Sequence, residues 1–580
     1  MVMRPLNILL VLPEWRMTSK RWKLSDHPYI RKKAFIPPLS LATVAALSPE
    51  NCETDIWDES VHGLIDPSTV FDKHYDLVGV GGYVTYVFRA KEVARVFRRR
   101  GIPVVAGGAG VTASPQDYRD DFDVLILGES ERIWPQFLED FAAGRHKREY
   151  HDHESVEMTL SPPPDWKSIA AVMKESYAVG AVQTTRGCPF ICEFCNVWKV
   201  FGRTMRTKPI PQVIDEIRTL HDLGMRIVSF CEDNFYGDRR YCKALLRALI
   251  ALNSTFDEPL RFYAEISINI SRDDEVLELL SAANFAGLFI GVESPNMESL
   301  KETAKVQNLK GDLVETCLKI QSYGLPIEAS MIVGFDHDDE SIFDRQFQFF
   351  EAARIAYPRV RMLQARPGTD TYDKMIAQDR VLDIDLLHEP NTYFDNYLIP
   401  NIIPQGMSRT EEFTRYIGLM EKTLDWDNFT KRMIAYLENI TYAPALRRPE
   451  ARGTRGMPTE LRAYIASLAE PVRQNVLKIL AFGLERAPLQ MYNLVTLIVR
   501  HSIEFDNLPQ MRETLRRQID FEKHLDLSRC IYRPPEVHAH AHQEVAGFEA
   551  PPVAMPEGAV PTRSLTDLTQ FPGGRLVRNG

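Results

Sequence analysis

Apolar residues fall along this chain in short runs, separated by longer stretches with helical spacing. In the first third, residues 7–12, 53–57, 77–81, 103–106 and 124–127 read as buried strands of four to six residues. Between them, 39–47 and the basic amphipathic stretch 90–100 carry the periodicity of helices. Alternation of this kind predicts a parallel, doubly wound α/β sheet over residues 1–150. Ligands of such sheets lie beyond the carboxyl ends of the strands. Two glycine runs stand there, Gly79-Val80-Gly81-Gly82 and Gly107-Gly108-Ala109-Gly110, and neither has the spacing of a dinucleotide fingerprint.

Pro162, Pro163 and Pro164 punctuate a linker over 151–175. From 176 to about 400 the strand and helix patterns resume. Strands are expected at 181–184, 227–231, 262–266, 288–292, 329–333 and 360–363, with helices at 211–223 and 241–252. Repeated units of this kind predict a partial or full barrel with its active site at the strands' carboxyl ends. Residues 401–533 read as a helical region, with helices at 410–424, 428–437, 460–468, 471–482 and 489–503. The tail 534–580 is rich in Pro, Ala and Gly and is expected to be disordered; His538, His540 and His542 alternate within it as a solvated tract.

Composition narrows the class. With 44% apolar residues the chain can bury packed cores, and 69 basic against 79 acidic side chains give a net charge of −10. That sign argues against a nucleic-acid partner. No apolar stretch is long enough to span a membrane, so a cytoplasmic protein without a transmembrane segment is expected.

The chemistry concentrates in one loop. Cys188, Cys192 and Cys195 stand in Thr185-Arg-Gly-Cys-Pro-Phe-Ile-Cys-Glu-Phe-Cys-Asn196, too closely spaced for ordinary disulfides. Iron and zinc are the natural guests. A structural zinc site needs a fourth Cys or His nearby, and the loop holds none. Iron–sulfur clusters are usually held by four cysteines, so three leave one iron open to a small molecule.

With Phe194 just before the last cysteine, this motif resembles that of the radical S-adenosylmethionine (SAM) superfamily. The resemblance implies a [4Fe-4S] cluster on Cys188, Cys192 and Cys195, with SAM chelated to the fourth iron. It also implies a partial (β/α)6 barrel. Ahead of it, residues 105–115 and Asp123-Val-Leu-Ile-Leu-Gly-Glu-Ser-Glu131 resemble the Rossmann-like cobalamin-binding domain of the B12-dependent class, with Gly110 in place of the usual histidine. Gly81, Gly107, Gly108, Thr112, Gly128 and Glu129 are the implied cobalamin contacts. The Asp-x-His-x-x-Gly motif for a lower cobalt ligand is absent: His62 has the wrong spacing and reads as a surface histidine.

For SAM, the resemblance implies Glu232 and Asp233 at the amino group, Glu265 and Ser267 at the ribose, and Ile332 and Gly334 at the adenine. Glu293 is a further SAM or substrate contact, and His337 occupies the place of the family's distal Glu. Arg366, in the segment that closes the barrel, is a candidate for an anion. The implied activity is methylation of an unactivated carbon of a small or lipid-like substrate, through a 5′-deoxyadenosyl radical and methylcobalamin, with an electron donor such as flavodoxin or ferredoxin. Residues 393–404 most resemble hopanoid-type C-methylases. A B12-dependent radical cyclase or rearrangement enzyme without methyl transfer is the alternative. A tRNA methylthiotransferase would carry a second cysteine triplet near the N-terminus, where only Cys52 occurs.

Overall fold

The computed structural model describes residues 4–14, 27, 29–83, 86–152, 154–384, 386–387, 398–442 and 458–534. The tail with its three histidines and residues 393–397 of the hopanoid-type segment lie outside these residues.

Six parallel strands form the first sheet: β1 (Leu6–Leu12), β2 (Cys52–Asp58), β3 (Leu77–Gly81), β4 (Val104–Gly107), β5 (Val124–Leu127) and β6 (Glu149–His151), in the order β2-β1-β3-β4-β5-β6. The order reverses between β1 and β3, the switch point at which such sheets open a crevice beyond their strand ends. Five of these strands coincide with the apolar runs within a residue or so; β6 was not foreseen, because Glu-Tyr-His carries no apolar run. One face of the sheet packs on Val93, Ala94 and Phe97 of helix Val87–Arg99. The other face joins a core that continues into the second sheet.

The second sheet holds β7 (Gly180–Val182), β10 (Ile227–Phe230), β11 (Arg261–Glu265), β12 (Phe285–Glu293), β13 (Ile327–Val333) and β14 (Tyr357–Met362), all parallel and in sequential order. Strands β8 (Thr185–Arg186) and β9 (Arg206–Thr207) form a separate antiparallel pair. Sequential parallel order with a helix after each strand is the partial barrel. Helices 239–253, 274–282 and 313–322 start at Asp238, Asp273 and Asp312, whose carboxylates accept backbone N–H groups of the first turn. In β11, Phe262 and Ala264 are buried towards the helices, so the strand's alternation turns Tyr263 and Glu265 to the other face.

Helices Arg409–Leu424, Trp426–Asn439, Thr459–Ser467, Glu470–Arg486 and Met491–Glu522 follow. The last is much longer than the expected 489–503. Its apolar pattern thins beyond Ile503, yet the helix runs on through Pro509 because Leu515, Gln518 and Glu522 find buried partners. Glu522 closes a buried pair with Arg409 at 2.8 Å, and Arg409 Nη1 also donates to the carbonyl of Pro400 at 2.7 Å. Arg500 of the same helix reaches Glu328 of β13 at 2.6 Å. Among the described residues, no helix is long and apolar enough to cross a membrane.

Candidate active site

The three cysteines occupy the loop between β8 and β9, whose pairing of Thr185 with Thr207 and Arg186 with Arg206 closes its base. Gly187 turns the chain into the loop at φ +97°, where a Cβ would come 2.6 Å from the Thr204 carbonyl oxygen. That contact and the left-handed backbone both require glycine. Inside the loop, Cys188 N–H donates to the Gly202 carbonyl (3.2 Å) and Cys195 N–H to that of Cys192 (3.0 Å). Burial pushes the Cys188 thiol up and that of Cys195 to about 12, and the adjacent Cys192 adds to both. Ligation requires thiolates, so bound metal must provide the compensating positive charge. Among the described residues no three His, Cys, Asp or Glu side chains converge on a single ion. The donor set is three thiols of one loop that act on one another, the ligand chemistry of an iron–sulfur cluster. Burial, with Glu232 and Glu265 beside it, pushes the thiol of Cys231 just past β10 up to about 12.

Two acidic residues just past β10 hold this loop in place. Glu232 is buried and accepts from the backbone N–H of Thr184 and of Thr185, both at 2.6 Å, and from the Thr185 hydroxyl. Burial raises its carboxyl to about 7 against the pull of those bonds. Asp233 Oδ2 accepts from Gly187 N–H at 2.8 Å, and burial lifts this carboxyl to about 6. Phe194 packs on Phe335 with ring centroids 6.2 Å apart, beside Ile332, and so joins the cysteine loop to the end of β13.

Along the remaining strand ends, Glu265 is solvent-accessible but closely enclosed. That enclosure, with the carboxylates of Glu328 and Asp233, raises it to about 7. Ser267 donates its hydroxyl to Asn234 Oδ1 at 3.1 Å. Gly334 follows β13 at φ +95°. His337 is exposed and bonded to Glu302, so it does not brace the glycine turn. The brace stands one residue later. Asp338 accepts from Gly334 N–H (3.1 Å), Phe335 N–H (3.2 Å) and Ser299 Oγ (2.6 Å). A one-residue shift hid this carboxylate from the motif.

Sequence reading also missed segment 303–308, which follows helix Met297–Glu302 and packs on the cysteine loop. Thr303 C=O accepts from Glu193 N–H at 3.0 Å, and Gln307 Nε2 donates to Cys192 Sγ at 3.6 Å. Lys305 pairs with Glu293 at 2.7 Å.

On the first sheet, glycines end β3 and β4, with Gly81 in register opposite Gly107, and Gly128 directly follows the neighbouring β5. Gly108 (φ +105°) and Gly128 (φ +98°) turn the next two loops away from the sheet. The Thr112 hydroxyl ties these loops together, donating to the Gly108 carbonyl and accepting from Gly128 N–H, each at 3.0 Å. Glu129 is buried and occupied elsewhere: Arg186 Nη1 donates to it at 2.7 Å and Arg206 Nη1 at 2.8 Å. Glu131 takes the other face of Arg186 at 2.6 Å. The two acids of this motif thus clamp the base of the cysteine loop to the first sheet. Helix Ala109–Ala113 packs on helix Val197–Val200 just past Cys195, and Gly368 packs on Ala113. Tyr83, after β3, is 69% exposed, and Cys231, Glu265 and Asp233 of the barrel lie near enough to act on its hydroxyl. The strand ends of the two sheets therefore face one another. His62 is held by its own turn, its Nδ1 accepting from Asp58 N–H at 3.0 Å.

Residues 182–346, the barrel from the end of β7 to the helix after β13, match the profile of the Radical SAM superfamily. Hopanoid C-2 methylase of Rhodopseudomonas palustris is 30% identical over 404 residues, 68% of this chain and 74% of that protein. This chain belongs to the radical SAM superfamily. An uncharacterized methyltransferase of Synechocystis is 32% identical to this radical SAM enzyme over 356 residues, which are 61% of the chain and 65% of the relative's own length. In fold, the enzyme is similar to the radical SAM methyltransferase TsrM of Kitasatospora setae, solved with cobalamin and a [4Fe-4S] cluster. The TM-score is 0.53 at 14% identity, over 90% of this chain and all of that one.

Proposed function

We propose that this radical SAM enzyme is a cobalamin-dependent C-methyltransferase acting on an unactivated carbon of a small or lipid-like molecule. One observation carries the reading: the glycine-lined strand ends of the first sheet face the three-cysteine loop, fixed there by Glu129 and Glu131 on Arg186 and Arg206. A methyl carrier and a radical source have to meet over one substrate carbon, and two facing strand-end sites permit that. The hopanoid methylase relative supports the lipid-like substrate. A net charge of −10 favours a small molecule over nucleic acid.

Cys188, Cys192 and Cys195 would hold the cluster. Asp233 is the better placed of the two acids for the SAM ammonium, because both Glu232 oxygens already serve Thr184 and Thr185. Glu265 and Ser267 would meet the ribose, and Ile332 with Gly334 the adenine. Gly81, Gly107, Gly108 and Gly128, with Thr112 fixing their loops, form a ledge without side chains on which a corrin can lie against backbone. When bound, the cluster would supply the electron that cleaves SAM, and cobalamin the methyl group that reaches the substrate. A small one-electron protein such as flavodoxin or ferredoxin would donate that electron in the cytoplasm.

Anaerobic reconstitution with iron, sulfide and cobalamin, followed by reduction with SAM, tests the reading by mass spectrometry for 5′-deoxyadenosine. Wild type is expected to form the nucleoside and Cys192→Ala none. With substrate, each product should gain one methyl. Nucleoside formed with a product of changed structure but no added methyl would replace this reading by radical cyclisation or rearrangement.

A further inference from the structure

Glu293 ends β12 in the left-handed region, at φ +68°, where the pairing of β12 with β13 shifts register. A glutamate rarely adopts this backbone, and such strain concentrates at working sites. Here it bends the side chain back across Gly291. A Cβ on Gly291 would come within 2.2 Å of Glu293 Oε1 and 2.8 Å of Lys305 Nζ, so the pair fills the space a side chain there would need. Both partners are enclosed, with side-chain exposures of 5% and 12%.

The ammonium so held points its charge at the cysteine loop. Lys305 Nζ stands 5.6 Å from the centre of the Phe194 ring, and it is among the charges acting on Cys188 and Cys195. Two residues on, Gln307 Nε2 donates to Cys192 Sγ, while its buried Oε1 has no hydrogen-bond partner. Asn308 Nδ2 fixes the segment to β12 through the carbonyls of Gly291 (3.0 Å) and Val292 (2.8 Å).

We propose that Lys305 and Gln307 raise the reduction potential of the cluster held by Cys188, Cys192 and Cys195, with Glu293 as the positioning residue and partial counter-charge. The inference rests on the cluster reading above. Reduction adds one electron to a centre already ringed by three thiolates. A nearby cation in a poorly screened interior favours that added charge, and an N–H donor to a ligand sulfur acts in the same direction. Glu293 acts against Lys305, but Lys305 and not Glu293 is among the main charges acting on Cys188 and Cys195, so the ammonium dominates. The device would set how readily the enzyme accepts an electron, independently of SAM and substrate.

The test is a potentiometric titration of the reduced-cluster electron paramagnetic resonance signal in full-length reconstituted protein, with SAM and cobalamin left out. Lys305→Met should lower the ratio of reduced to oxidised cluster about tenfold at the wild-type midpoint, a shift of about 59 mV for one electron. Lys305→Arg should restore it. Gln307→Leu should shift the midpoint in the same direction by less, and Glu293→Gln in the opposite direction. A Lys305→Met midpoint equal to wild type at full iron content overturns the proposal. If that variant loses iron, Gln307→Leu decides, and an unshifted midpoint there overturns it equally. A wild type without any reducible cluster would sink the cluster reading itself, before any variant is compared.

Discussion

Glu129 of the first sheet and Arg186 of the cysteine hairpin form a buried ion pair at 2.7 Å, and this contact couples the two halves of the site. Arg206 shares the same carboxylate, and Glu131 shares the same arginine. Removing one member of such a group leaves an uncompensated buried charge, which costs about 3–5 kcal/mol. Glu129→Gln is therefore expected to lose stability on that scale and to hold less iron, because the hairpin base loosens. Thermal unfolding together with iron per chain checks both. Unchanged iron at lowered stability would separate the clamp from the cluster loop. Burial acts to raise Glu131, but Arg186 wins and holds it below its ordinary 4.5. A lowered folded-state value means its contribution is complete above pH about 4.5 and is lost on further acidification.

Asp338 carries the turn after β13 on its carboxylate. Asp338→Ala would leave the N–H groups of Gly334 and Phe335 and the hydroxyl of Ser299 without their acceptor, at roughly 1–3 kcal/mol for each group that stays buried. SAM affinity, measured by equilibrium binding to reconstituted protein, is expected to fall at least about tenfold, or about 1.4 kcal/mol. Iron content should stay at the wild-type level, since the cysteine loop is held by Glu232 and Asp233 instead. Undiminished SAM affinity would remove this turn from the SAM site.

Glu412 is wholly buried behind Gly334, and neither carboxyl oxygen has a hydrogen-bond partner. Burial raises it to about 8; Asp338 and Glu522 add to the rise and Arg409 opposes it. The folded state then binds a proton that the unfolded state has released, so stability should decline as pH rises from about 4.5 to about 8. Glu412→Gln keeps the shape and removes the proton, and is expected to flatten that decline. Chemical denaturation midpoints across this range provide the measurement. Equal slopes in wild type and variant would show that another group is responsible.

Gly128 combines φ +98° with a position 2.9 Å from the Asp152 carbonyl oxygen as seen from a would-be Cβ. Gly128→Ala is expected to cost about 1–2 kcal/mol for the left-handed backbone alone. It should also displace the hydrogen bond from Gly128 N–H to Thr112. Cobalamin retained after gel filtration is expected to drop, with cluster content preserved. Wild-type retention would remove this turn from the proposed ledge.

Much of this architecture is local and was therefore legible along the chain. Apolar runs of four to six residues fix buried parallel strands wherever both faces are covered, and β1, β3 and β5 fall where the runs lie. Three thiols within one loop are close because the chain makes them close, whatever surrounds them. Strands such as Glu149–His151 and the two-residue hairpin around the cysteines were not legible. Their stability comes from neighbours in space and leaves no period in the sequence.

The alternating α/β order, the cysteine donor set and the glycines at strand ends follow from the chain alone, because each depends on residues a few positions apart. Packing in three dimensions fixed which acids serve the scaffold. Glu129, Glu131 and Glu232 meet arginines and backbone amides contributed by distant segments, while Asp338 braces the turn expected of its neighbour. The approach of Lys305 and Gln307 to the cysteines depends equally on folding, since more than 100 residues separate Gln307 from Cys192. Contacts of that range exist only once the core has packed, so no spacing along the chain encodes them.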